Sequence, residues 1–210
     1  MRGINAILSP IFLAGLFLLT FLTAGLSQDR SGADVLRDLR REWFNLAQGR
    51  TAFEVSDPQH VPNFLKLAVE QSGCRYEDGL RVAPIHFIRV AHGRLALVPC
   101  GGPLKTTQRA FDLSDLQKPL AIKFPFLAYP DGIGASGDAP GFLTWDKDAG
   151  FFRAETTSDI SNIPARYTYR FDGPPSNFVL LRVEVRRNGI GDWSTIWDAP
   201  RLSDLAKPNQ

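Results

Sequence analysis

The spacing of apolar positions changes along the chain, and each change marks a change of element. From Ser31-Gly32-Ala33-Asp34 onward, Val35, Leu36, Leu39, Trp43, Leu46 and Ala47 recur at helical spacing. Asp34, Arg37, Asp38, Arg41 and Glu42 occupy the complementary side. Gly49 supplies an exit, because a residue without Cβ accepts the left-handed conformation that closes a helix. A second helix is predicted from Pro62 to Ser72, with Phe64, Leu65, Leu67, Ala68 and Val69 on its apolar side. Pro62 suits its first position and Gly73 its exit.

Beyond Gly73 the period becomes two. Ile85, Phe87 and Arg89 alternate with His86, Ile88 and Val90. Ala91-His92-Gly93-Arg94 reads as a tight turn, and Leu95 to Val98 as the returning strand, with Cys100 at its far end. Leu120 to Leu127 is predicted as an edge strand, since Pro125 removes a ladder donor. Residues 131–141 are predicted as a long glycine-rich loop. Phe142 to Trp145 and Phe151 to Ala154 flank Asp146-Lys147-Asp148-Ala149-Gly150, a hairpin turn. Tyr167, Tyr169 and Phe171 share one strand face. In the next strand Val179, Leu181, Val183 and Val185 are expected inward, with Arg182, Glu184 and Arg186 outward, and Trp193 to Trp197 closes the pattern. Helices first and strands afterwards predict an α+β fold: amino-terminal helices packed on a mainly antiparallel sheet, one domain over residues 31–200, and a flexible tail at 201–210.

The opening segment follows none of these patterns. Ile11 to Leu22 carries almost no polar atoms, and Arg2 is the only charged side chain before Asp29. A basic start, an apolar run and small residues at its end read as a secretory signal peptide over residues 1–27. Cleavage is expected after Ser27 or after Gly25; a retained amino-terminal anchor is the alternative, because the run approaches the ~20 residues that span a bilayer. Either way the remainder lies outside the cytoplasm, periplasmic or secreted. Cys74 and Cys100 are the only cysteines, and in an oxidising compartment such a pair is expected to form a disulfide. Closing that loop would contribute roughly 3–4 kcal/mol.

Across its 210 residues the chain has 24 basic and 22 acidic side chains, and that balance excludes the strong basic excess of a nucleic-acid binder. Gly132-Ile133-Gly134-Ala135-Ser136-Gly137 satisfies G-x-G-x-x-G, but Pro140 and Gly141 oppose the helix a dinucleotide site requires. Asp146 and Asp148 lack the further carboxylates of a calcium loop, so a β-turn is expected there. His60, His86 and His92 are too scattered for a zinc motif. Glu155, Asp159, Glu184 and Asp192 could supply paired carboxylates, but surface solvation is the simpler reading. The basic cluster Arg37, Arg40 and Arg41 reads as a solvated helix face. Trp145, Phe151, Phe152, Tyr167, Tyr169, Trp193 and Trp197 are expected to fill a core rather than form a ligand platform. No catalytic, cofactor or metal set is assigned.

Several runs between Val61 and Pro200 carry a resemblance: the helix before Cys74, Leu97-Val98-Pro99-Cys100, the hairpin from Phe142 to Glu155, and Tyr167-Thr168-Tyr169-Arg170-Phe171-Asp172-Gly173. Phe178 to Arg186 and Trp193-Ser194-Thr195-Ile196-Trp197 complete it. Together they resemble an uncharacterised exported protein family of Gram-negative bacteria, a domain of unknown function. The family carries extra distal cysteines; this chain has Ser161 and Asn162 near one expected place. The resemblance implies no active site. The expected function is a non-enzymatic binding or inhibitor-like envelope module, whose partner is an envelope protein or small ligand met through the sheet face or residues 131–141. The alternative is an envelope hydrolase using scattered carboxylates or histidines. Contact with a membrane is expected only through an uncleaved amino-terminal segment.

Overall fold

A computed structural model describes residues 31–91, 93–102, 105–128, 132–157, 163–173, 177–186 and 191–200. The segment expected to be a signal peptide (residues 1–27), His92, Asp159 and the 201–210 tail lie outside the described residues. Two compact units divide between Arg37 and Asp38. In the first, Ser31 Oγ donates to Asp34 Oδ2 at 2.9 Å and Arg37 pairs with Asp34 at 3.2 Å, all on exposed side chains. Helix α1 (Gly32–Ala47) begins there and continues into the second unit, which carries everything below.

Strands dominate. Five of them, β1 (Ala52–Val55), β2 (Ile85–Val90), β3 (Gly93–Cys100), β4 (Thr107–Asp112) and β5 (Leu120–Ile122), form an antiparallel sheet in chain order. A two-stranded hairpin follows, β6 (Phe124–Ala128) with β7 (Gly132–Ser136). Five more strands, β8 (Leu143–Asp146), β9 (Phe151–Thr157), β10 (Pro164–Asp172), β11 (Asn177–Val185) and β12 (Ser194–Asp198), form a second antiparallel sheet, again in chain order. Helices α2 (Asn63–Gln71) and α3 (Tyr76–Gly79) are short. The protein is therefore mostly antiparallel sheet with few helices, a smaller helical share than an α+β pattern leads one to expect.

The middle of the first sheet is buried on both faces, which explains why β3 reads as a nearly unbroken apolar run. On one face Phe53, Val55, Ile85, Phe87, Ala96, Val98 and Phe111 join Phe64, Leu65 and Val69 of α2, with Leu39, Trp43 and Leu46 of α1 packed against them. Trp43 meets Phe53 and Phe87 at ring-centroid distances of 5.8 and 6.0 Å. On the other face Ile88, Leu95, Leu97, Ala110 and Ile122 share a core with Phe124 of β6 and with Leu143, Phe152, Tyr169, Phe178 and Val183 of the second sheet.

The Cys74–Cys100 disulfide is present, with Cα atoms 5.0 Å apart. It joins the exit of α2 to the end of β3, and an Arg75–Gly101 bridge runs beside it. Helix α3 lies so close to β3 that a Cβ on Gly79 would sit 2.1 Å from the Pro99 carbonyl oxygen. The β2–β3 and β8–β9 hairpins lie where expected, but Gly93 and Arg94 belong to β3 rather than to the turn, with Val90 opposite Gly93, and Asp146 belongs to β8, opposite Phe151.

Four other expectations need correction. Pro62 is the N-cap of α2, extended at ψ 142°, so the helix starts one residue later. The Leu120–Leu127 strand is two strands divided at Lys123, because the chain leaves the first sheet there to form β6. The described part of 131–141 holds strand β7, in which Gly134 pairs with Phe126 and leaves room for its ring. In β11 the inward residues are Phe178, Leu180 and Val183. A bulge explains the difference. Thr168 faces Arg182 while Tyr169 faces Leu180, so Leu181 is extra and the inward parity reverses there.

Candidate functional site

The second sheet does not cover all of the first. Strand β1 contributes nothing to the inter-sheet core, and Ala52 and Glu54 are exposed where β8 ends the facing sheet. The uncovered margin forms a cleft of about 820 Å³. Ile88, Phe142 and Trp145 give it apolar walls; Glu54, His86, Gln108 and Arg50 give it polar points.

Alternation places these side chains. His86 and Ile88 project from β2 toward the second sheet while Ile85 and Phe87 point to the helices. Glu54 is the cross-strand partner of His86, and its Oε1 lies 3.2 Å from His86 Nδ1. Gln108 projects from β4 on the same side as Ala110 and is only 1% exposed. Its Oε1 accepts from the Leu143 backbone N–H at 2.8 Å, and its backbone carbonyl accepts from Ala139 N–H at 2.8 Å. Gln108 thus fastens the start of β8 to the first sheet, while its Nε2 group has no partner among the described residues. Trp145 leans on Phe152 at 4.4 Å, and its exposed side turns into the cleft. Beyond Trp145 a second hollow of about 590 Å³ continues along the margin, where Arg170 pairs with Asp172 at 2.7 Å.

The other singled-out residues fall elsewhere. His60 is exposed beside Asp57 at 3.4 Å. Glu155 and Glu184 meet on the outer face of the second sheet, but around Arg166, at 2.7 and 3.9 Å. Asp192 is exposed. Asp146 shapes its turn: its carboxylate accepts from Ala149 N–H at 2.9 Å, and Gly150 takes φ 70°. The Gly132–Ser136 run is strand, and no helix follows it as far as β8 among the described residues. Arg41 pairs with Asp38 at 4.0 Å on the solvated face of α1. Among the described residues no three acidic, histidine or cysteine side chains gather around a point that could hold a metal, and no helix is long and apolar enough to cross a membrane.

The aromatic set divides. Phe152 and Tyr169 are fully buried, and Trp145, Tyr167 and Trp197 pack against the inter-sheet core. Burial pushes both tyrosine pKa values up, most strongly for Tyr169, where the neighbouring Tyr167 adds to the effect. Tyr169 donates its hydroxyl to the Pro125 carbonyl at 3.0 Å, tying β10 to β6. Trp193 lies instead on the outer face against Arg166 and Arg186, at 4.2 and 4.5 Å.

Gln108 and Glu54 were not legible as site residues. The one available signal was a glutamine in phase with the inward Ala110, a polar residue where an apolar one is expected. Compared with protein-family models, curated proteins and solved structures, the chain matches none of them. The resemblance to an exported family therefore gains no support from these comparisons.

Proposed function

We propose that this is an exported envelope protein that acts as a non-enzymatic binding module, holding a small and largely apolar ligand in the cleft between the sheets. The make-up of the cleft carries the reading: Ile88, Phe142 and Trp145 form walls around few polar groups, Gln108 and the Glu54–His86 pair. Ligand sites of roughly 300–1,000 Å³ are built this way, with apolar walls for affinity and fixed polar groups for orientation. The Cys74–Cys100 bond agrees with an oxidising compartment, as does the leader-like opening of the chain. An inhibitor-like module is the version of this reading in which an envelope enzyme supplies an apolar side chain to the cleft.

One observation favours the hydrolase alternative. Glu54 is placed to orient His86 as a general base at the cleft mouth. Two measurements separate the readings. Neutral aromatic fragments screened by ligand-observed NMR should give saturable binders that are lost in Trp145→Ala; a screen with no such binder overturns the binding reading. Turnover of ester or amide substrates that disappears in His86→Ala would establish the hydrolase instead.

A further inference from the structure

On the helix side of β1, away from the cleft floor, lies a separate pocket of about 570 Å³. Three arginines line it, Arg50, Arg89 and Arg94, together with Trp43 and Phe44, and no acidic residue does. We propose that this pocket binds a phosphate-class oxyanion carried on an apolar group.

Two of the arginines form a cross-strand pair. Arg89 and Arg94 are directly opposite each other across β2 and β3. Arg89 gives its backbone N–H to Thr51 of the neighbouring segment at 2.7 Å, so this is the non-hydrogen-bonded kind of cross-strand pair, in which side chains come closest. Like charges so placed repel. Neither guanidinium has a hydrogen bond or ion pair with another described residue. A sheet does not need two unneutralised arginines at one rung; an incoming dianion relieves the repulsion and takes up forked donors from both sides.

The rim of the pocket is apolar. Arg94 lies over Trp43, its Cζ 5.3 Å from the ring centroid, a cation–π contact that limits the guanidinium's freedom. Phe44 lines the same pocket and is 71% exposed, a large apolar surface open beside the arginines. An anion with an attached ring or chain would use both features. The carboxyl end of α1 also faces this region and would repel an anion. Arg50 offsets it: its Nε and Nη2 donate to the Ala47 and Leu46 carbonyls at 3.2 and 3.0 Å. Arg50 therefore screens the helix end, and Arg89 and Arg94 remain to bind. The pocket meets the cleft at Arg50, Phe53 and Ile88, but its binding residues are not those of the cleft.

Phenyl phosphate and inorganic phosphate titrated calorimetrically against the protein provide one arm of the test. Co-sedimentation with vesicles of anionic or zwitterionic phospholipid provides the other. Phenyl phosphate should bind saturably and more tightly than inorganic phosphate. Arg89→Ala and Arg94→Ala should each weaken it about tenfold or more, the loss of a charge-assisted contact; Arg81→Ala, a distant exposed control, should leave it unchanged. Arg89→Ala should melt no lower than the parent protein without ligand, because it removes the repulsion. If its fold fails, Arg89→Lys, which keeps the charge and gives up the fork, should still weaken binding. Binding to anionic vesicles that needs Arg89 would make the source a lipid headgroup; phenyl phosphate binding without vesicle binding would make it a soluble ligand. Absence of both, or affinities indifferent to Arg89 and Arg94, overturns the proposal. Trp145→Ala should not affect this binding, which keeps it distinguishable from the cleft.

Discussion

Tyr169→Phe removes one oxygen from the inter-sheet core and nothing else. The ring keeps its contacts with Phe124 and Phe178, at 5.8 and 5.9 Å, while the Pro125 carbonyl loses its donor. Leaving such a group unpaired costs about 1–3 kcal/mol, and the variant should be less stable by that amount at pH 8. The pH dependence provides a sharper test. Burial disfavours the phenolate, so the folded-state pKa stands above the unfolded value near 10. Stability from this group is complete below pH 10 and is lost as the pH rises past it, at up to ~1.4 kcal/mol per pH unit. Tyr167, raised by its own burial, adds a slope of the same sign. The Phe variant lacks the Tyr169 slope, so the gap between the two proteins should narrow by about 1 kcal/mol toward pH 11. Urea denaturation followed by circular dichroism from pH 8 to 11 measures both curves. Free cysteines are absent, so no thiol initiates disulfide exchange over that range. Parallel curves would refute the argument that burial of this phenol governs alkaline stability.

Other expectations follow from the same physical terms. Replacing Cys74 and Cys100 together with Ala opens a link between residues 26 apart and should cost about 3.5 kcal/mol in loop entropy, read as a lower urea midpoint. Gly79→Ala drives a methyl group into the Pro99 carbonyl and should destabilise by about 1–3 kcal/mol in the same assay; unchanged stability would mean α3 is not seated on β3. Intact-mass analysis of the envelope fraction should show the chain shortened by about 25–28 residues, and a full-length membrane species would establish the retained anchor.

Much of the strand pattern was legible because alternation is a local property. Ile85 to Val98 and Phe142 to Ala154 announced their hairpins through turn residues and period-two burial. The failures arose where a distant contact decided the outcome. Nothing near Leu181 signals a bulge; the partner strand forces it. Gly132 to Ser136 looks like a loop because glycines have low strand propensity, yet pairing with Phe124–Ala128 and the space Gly134 yields to Phe126 make it a strand. Strand β4 escaped notice because Thr107-Gln108-Arg109 masks its apolar side. The candidate cleft was hidden for the same reason. Its polar residues come from β1, β2 and β4, and only the assembled sheet brings them to one margin. The opposed arginines required the β2–β3 register, in which Arg94 belongs to the strand rather than to the expected turn.

Both sheets are meanders whose strands pair in chain order, so contacts within each are local and closure need not wait for a distant partner. A chain delivered from its amino terminus would complete the first sheet, with both cysteines and the covering helices, once residues through Ile122 had emerged. At that moment one face of the sheet is finished and the other is bare: Ile88, Leu95, Leu97, Ala110 and Ile122 wait for a layer still to come. The half-made protein is thus already cross-linked and already adhesive. Its hazard during biogenesis lies in that interval, and chains cut short between the two sheets should aggregate rather than simply remain unfolded.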